Sequence, residues 1–208
     1  MLWVRLSQVT ADADTLGSCV AYIEGEDRQV VESQPGSLGL LALASHKPAV
    51  VITGSLWATD RALTAGQEAE SHFRGELARR AGGPVAVRDY RVVIFEREAP
   101  LRAGQAVRLT RLEVKPSWVD DVVHVVGDTA VPALADAPGF RGALLFADPD
   151  AGQLVSQTVW PDSRARSAGP SVGATVRAEL LEEARCEILA VEDYDLVFTS
   201  LPLRVLAP

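Results

Sequence analysis

Thr53, Ser55 and Trp57 lie two residues apart in an apolar run, so a β-strand there puts all three side chains on one face. Ser156, Thr158 and Trp160 repeat the arrangement later in the chain. Two hydroxyls and an indole on one surface suit a flat polyphenolic ligand, because the ring offers a stacking face and the hydroxyls fix orientation. All six are candidate ligand contacts, with Trp57 the one nearest the chemistry. The competing reading makes both tryptophans core plugs. His72 adjoins a stripe of Ala62, Ala65, Ala69 and Phe73 and could face the same surface. An imidazole titrating near neutrality could take a proton from a phenol; as a surface or helix-end histidine it would not. Arg5, matched by Arg108, could stabilise an enolate or peroxide anion, or sit in a salt bridge. The catalytic candidates are therefore His72, Trp57 and Arg5. Tyr90 and Tyr194 follow matched aspartates and read as structural.

Other chemistry is disfavoured. His46, His72 and His124 are the only histidines and lie far apart, so no ligand set has zinc-like spacing. There is no phosphate loop, dinucleotide fingerprint or nucleophile elbow. A net charge of −8 argues against a nucleic-acid partner. No apolar run reaches the roughly 18 residues of a membrane helix, and no signal peptide is read at the N-terminus. Two cysteines, Cys19 and Cys186, at no staple-like spacing point to buried free thiols and a cytoplasmic protein.

The elements that must position these residues come in two sets. Val4-Arg5-Leu6 recurs as Val107-Arg108-Leu109, a shift of 103 (107 − 4). The same shift carries Pro35-Gly36 to Pro138-Gly139, Trp57 to Trp160 and Ala65-Gly66 to Ala168-Gly169. One extra residue near Cys186 then brings Asp89-Tyr90 onto Asp193-Tyr194. The 208 residues are thus one unit written twice. Each copy reads as β-α-β-β-α-β, the ferredoxin-like motif. In the first copy the strands are Leu2–Thr10, Leu38–Ser45, Ala49–Trp57 and Val85–Glu96, and the helices Asp14–Ser33 and Asp60–Arg80. In the second, strands over 105–114, 140–147, 153–160 and 187–199 enclose a helix from Ser117, with Ser117 and Asp120 as its capping box, and one running to Ala184. The expected organisation is 1–97 for the first repeat, a loose linker over 98–105, 106–200 for the second repeat and a tail over 201–208. A sheet with helices on one face leaves its other face apolar, and two such sheets in one chain can close on each other as a covalent dimer. The fold class expected is α+β: two ferredoxin-like repeats forming an intramolecular α/β barrel.

The segment Ser55-Leu56-Trp57-Ala58-Thr59-Asp60-Arg61-Ala62-Leu63, then Ser71-His72-Phe73, resembles the antibiotic-biosynthesis monooxygenase family of dimeric α/β barrels, as does the Pro35-Gly36 and Gly39 segment before the second strand. The resemblance spans both copies through short motifs that identify a fold better than a reaction. It implies a cofactor-independent monooxygenase that oxidises an aromatic polyketide intermediate, an anthrone or phenol, with O2 in antibiotic biosynthesis. Its alternatives are a haem-binding or haem-degrading oxygenase, and a polyketide cyclase or ligand-binding barrel without redox chemistry. Haem-degrading members use a strand-one amide, which brings in Gln8. Chlorite-dismutase-like relatives place their haem histidine in the second half, where this chain has none past His124. The partners expected are a small aromatic substrate and O2, with no nucleic acid or membrane, in a pseudo-dimer open to further self-association. Copy two has Thr175 where copy one has His72, and Pro161, Gly169, Pro170 and Gly173 interrupt its helix, which favours copy one as the active half.

Overall fold

The computed structural model describes residues 1–169 and 186–201. Its strands are β1 (Trp3–Thr10), β2 (Ser37–His46), β3 (Ala49–Trp57), β4 (Ala86–Arg97), β5 (Ala106–Glu113), β6 (Gly142–Asp148), β7 (Gln153–Trp160) and β8 (Glu187–Thr199). They hydrogen-bond in the closed order β1-β3-β2-β8-β5-β7-β6-β4, an α+β barrel topology as the duplicated motif implies. Each strand begins and ends within two residues of the range read from the sequence. The period-two patterning and β-branched content are strong here, and Lys47-Pro48 leaves only a two-residue turn between β2 and β3.

The helices depart more from expectation. The first is three pieces: α1 (Leu16–Tyr22), a π-helical turn (Ile23–Asp27) and α2 (Arg28–Glu32). The second repeat copies it 103 residues on, as α5 (Val119–Val125), a π turn (Val126–Ala130) and α6 (Val131–Ala135). A π turn changes the hydrogen-bond ladder and not the residue types, so a 3.6-residue period passes over it. The helix expected over Asp60–Arg80 breaks into α3 (Asp60–Ala65) and α4 (Gln67–Ala81). At the break, a Cβ on Gly66 would lie 2.3 Å from the Trp57 ring. Gly169 stands in the same relation to Trp160, at 2.8 Å, after α7 (Ser163–Ala168). The glycine read as a flaw of copy two is therefore common to both repeats. The expected Ser117–Asp120 capping box does not form: Pro116–Trp118 is a short 3-10 turn and Trp118 caps α5 without a side-chain bond.

Packing divides the chain into two compact units. The first holds Met1–Arg91, Leu101–Ala103 and the chain from Asp195 on; the second holds Val92–Pro100 and Gly104–Tyr194. The divisions fall inside β4 and β8 rather than at residues 98–105. A long strand can pair one half with one set of neighbours, as the start of β4 does with β1 from Trp3↔Arg91 to Gln8↔Ala86. Residues 98–105 are also ordered: Leu101 is buried, and Glu98 N donates to Arg141 O at 3.0 Å.

In the first unit the helices cover one side of the sheet through Cys19, Ile23, Val31, Trp57, Phe73 and Leu77, each buried side chain of this size contributing about 1.5–3 kcal/mol. Tyr22 stacks on Phe73 with ring centres 4.8 Å apart. The second unit has a core of Leu112, Val122, Leu145 and Leu154, and a smaller cluster of Phe140 and Trp160. Cys19 and Cys186 are free and buried, and burial pushes both thiols up, Cys186 to about 11. Among the described residues no helix is long and apolar enough to cross a membrane. The rest of the helix expected to run to Ala184, with Pro170, Gly173 and Thr175, lies outside the described residues, as does most of the 201–208 tail.

Candidate functional site

The ladder of the first unit sets the site out in rows. Asp89, Arg5, Ser55 and Leu40 stand side by side on β4, β1, β3 and β2. Val87, Ser7, Thr53 and Ala42 form the next row on the same face, two residues along each strand. α4 lies over these rows. Its helical spacing turns Glu70, Phe73, Arg74 and Leu77 inward, and Glu70 is buried.

Charge-assisted hydrogen bonds tie the rows to the helix. Arg5, 3% exposed, donates from Nε and Nη2 to the two Asp89 oxygens at 2.7 and 2.8 Å. Its Nη1 donates to Glu70 Oε2 at 2.7 Å and to Leu63 O at 3.4 Å. Glu70 Oε2 also accepts from Arg74 Nη1 at 3.3 Å, while Oε1 accepts the Ser55 hydroxyl at 2.6 Å. Ser55 Oγ in turn accepts the Trp57 indole N–H at 3.0 Å. Burial opposes the Arg5 charge, but the bonds to Asp89 and Glu70 outweigh it and hold its pKa above the ordinary value. Burial pushes Arg74 down, against the pull of Glu70.

The π turn adds a second carboxyl. Asp27 is 2% exposed, and its Oδ1 has no hydrogen-bond partner among the described residues. Burial, and then the Glu70 charge, push its pKa up to about 8, against the nearby Arg74 cation. Asp27, Glu70, Ser7, Thr53, Ser55 and Arg74 line a small pocket with Leu40 and Phe73 as apolar members. The space open to a water's centre is about 10 Å³, room for roughly one molecule. Ser7 and Thr53 are buried and add two hydroxyls to the lining. A buried polar atom left unpaired, as Asp27 Oδ1 is, is rare and marks a place that awaits a partner. With Asp27 protonated, the charges of Arg5, Arg74, Glu70 and Asp89 sum to zero.

The structure thus brings Arg5, Thr53 and Ser55 together and leaves the other expected residues outside. Trp57 is fully buried under Gly66 with its N–H committed to Ser55, so it has no free face for a ligand. His72 is exposed: two residues past Glu70 is a turn of about 200° around the helix. Gln8 alternates to the face of β1 opposite Arg5 and Ser7. In the second unit Trp160 donates to Thr158 Oγ1 at 3.2 Å and Arg108 to Asp193 at 3.0 Å, so the frame of the first site recurs, with Ser156 opposite Thr110. Its acid-base groups do not: Ala130 holds the position of Asp27, and Gly173, outside the described residues, aligns with Glu70. Tyr90 and Tyr194 are buried, and Tyr194 donates to Glu192 at 3.1 Å, a structural arrangement. Asp27, Glu70 and Arg74 were not singled out from the sequence. The signal available was the mismatch itself, Asp27 against Ala130 and Glu70 against Gly173 inside an otherwise matched repeat. Among the described residues no three His, Cys, Asp or Glu side chains are grouped to hold a metal.

No family model matches the sequence. Two uncharacterized proteins of Mycobacterium tuberculosis, Rv2557 and Rv2558, are each 22% identical to it, covering 97% of this chain and 90% and 86% of their own. Among solved structures, a candidate monooxygenase of Fusobacterium nucleatum superposes with a TM-score of 0.74 at 13% identity, over 98% of this chain and 96% of that one. An anthrone oxidase-like protein superposes at 0.71 and 15% identity, over 95% and 92%. The chain has the ferredoxin-like α/β-barrel fold of these structures. At these identities the likeness is one of fold, carried through nearly the whole chain.

Proposed function

We propose that the chain is an oxygenase that needs no cofactor, acting on an anthrone- or phenol-type aromatic in the first repeat. The observation that carries this reading is Asp27: a buried carboxyl with an unpaired oxygen, titrating near pH 8, beside Glu70 and Arg74. A group poised near the working pH is what proton transfer to and from a weak carbon or oxygen acid requires. Ionised Asp27 takes the substrate proton, and the electron pair of the broken bond becomes an enolate beside Arg74. The enolate reduces O2 and bonds to it. Asp27 returns its proton, which gives a hydroperoxide. Loss of water then cleaves the O–O bond, leaving one oxygen atom as a carbonyl and the other in water. Arg5 acts as a positioning residue, fixing Glu70 and Asp89. Oxygen-dependent activity fits the monooxygenase-fold neighbours, and the replacements by Ala130 and Gly173 in the second repeat favour the first as its seat.

The test is anthrone oxidation under air by the purified full chain. The expected result is oxidation above buffer, rising as pH passes through about 8 and falling about a hundredfold in Asp27→Asn. Oxidation no faster than buffer by folded protein would refute the reading. The same carboxyl pair suits enolisation without oxygen, so equal product formation under argon would indicate a cyclase. No histidine lines this pocket, and His46, His72 and His124 are all exposed, so none is placed to hold a haem iron there.

A further inference from the structure

We propose that Ser7, Thr53 and Asp27 form a one-oxygen recognition site that takes a single un-ionised hydroxyl of the substrate and rejects its methyl ether and its carboxylate counterpart. The inference rests on the first-repeat pocket being the reaction site, and it names what that pocket selects. Three polar residues on three elements, Ser7 on β1, Thr53 on β3 and Asp27 on the π turn, converge on the space, and Asp27 Oδ1 has no hydrogen-bond partner among the described residues. A hydroxyl is the ligand that satisfies them together, since it both donates and accepts.

Size and charge narrow the choice further. Room for about one water accommodates a hydroxyl oxygen, whereas a methoxy group adds a carbon and cannot donate to Asp27. Glu70 already holds two guanidiniums, and the lining is neutral when Asp27 is protonated, its main state at neutral pH. A carboxylate would therefore enter beside Glu70 with no free cation, and an ammonium would face Arg5 and Arg74. Arg74, 14% exposed on its side chain, is the most exposed of the lining residues. The aromatic body of the ligand belongs on that side, where a guanidinium can lie against a ring. Sites built to hydrogen-bond a hydroxyl discriminate strongly against analogues without one, because their own polar groups are left unpaired.

The experiment is calorimetric titration of the full chain under argon at neutral pH with a naphthol, its methyl ether and the matching naphthoate. The naphthol is expected to bind at least about tenfold more tightly than either analogue. Asp27→Leu removes a buried orphan group and keeps the volume, so the variant should fold, and the naphthol's advantage should shrink to about twofold or less. Thr53→Val should reduce it in the same direction. Equal affinity for naphthol and ether would overturn the inference, as would tightest binding of naphthoate or no binding of naphthol to folded protein. Because oxygen is excluded, the result is independent of turnover. Discrimination without anthrone oxidation in air would leave the hydroxyl site standing and defeat the oxygenase reading; oxidation without discrimination would do the reverse.

Discussion

Asp27→Asn gives the sharpest test of the site, because its effect can be worked out in sign and size. The Asp27 carboxyl is raised from 3.8 to about 8, chiefly by burial. It binds its proton more tightly in the folded than in the unfolded chain, so its contribution to stability is fully present below about pH 4 and is lost as pH rises through about 8. Each unit of displacement is worth about 1.4 kcal/mol, so the difference accumulated between about pH 5 and pH 8 is on the order of 3–4 kcal/mol. The amide that replaces the carboxyl does not titrate. Urea unfolding followed by tryptophan fluorescence at several pH values, for both proteins, isolates the effect, since other titrating groups cancel in the difference. The parent protein should lose stability relative to the variant as pH rises, by up to that amount. Parallel stability profiles would show that Asp27 is solvated and ordinary, and the acid-base argument built on it would fall.

Three further outcomes follow from the packing. Gly66→Ala places a Cβ 2.3 Å from the Trp57 ring and should cost about 1–3 kcal/mol in unfolding free energy; Gly169→Ala, at 2.8 Å, should cost less. Glu70→Gln leaves the buried Arg5 and the half-buried Arg74 without their shared carboxylate, and thermal unfolding should register a loss of about 3–5 kcal/mol. His72→Ala should leave stability within about 0.5 kcal/mol and leave any hemin difference spectrum unchanged, because the ring is exposed.

The strands and the duplication were legible in the sequence, because alternation and a fixed shift of 103 are local or self-referential signals. So were the shared face of Thr53 and Ser55 and that of Arg5 and Ser7, each of which follows from strand period alone; the pairing that joins the two faces is tertiary. The helical half of the site was not. The Ala62–Phe73 stripe pointed to His72, but the helix breaks at Gly66 and turns Glu70 inward instead. Nothing in residue type marks the π turn that brings Asp27 to the pocket. Trp57 looked like a ligand surface because composition cannot tell a plug from a platform; the close approach of Gly66 decides it. The sequence by itself determined that one α+β unit is repeated and which residues share a strand face, since both depend on spacing along the chain. Only the tertiary structure decided which carboxyls and guanidiniums meet, and that Asp27 is left unpaired and uncharged at neutral pH, because burial and distance across elements set those properties.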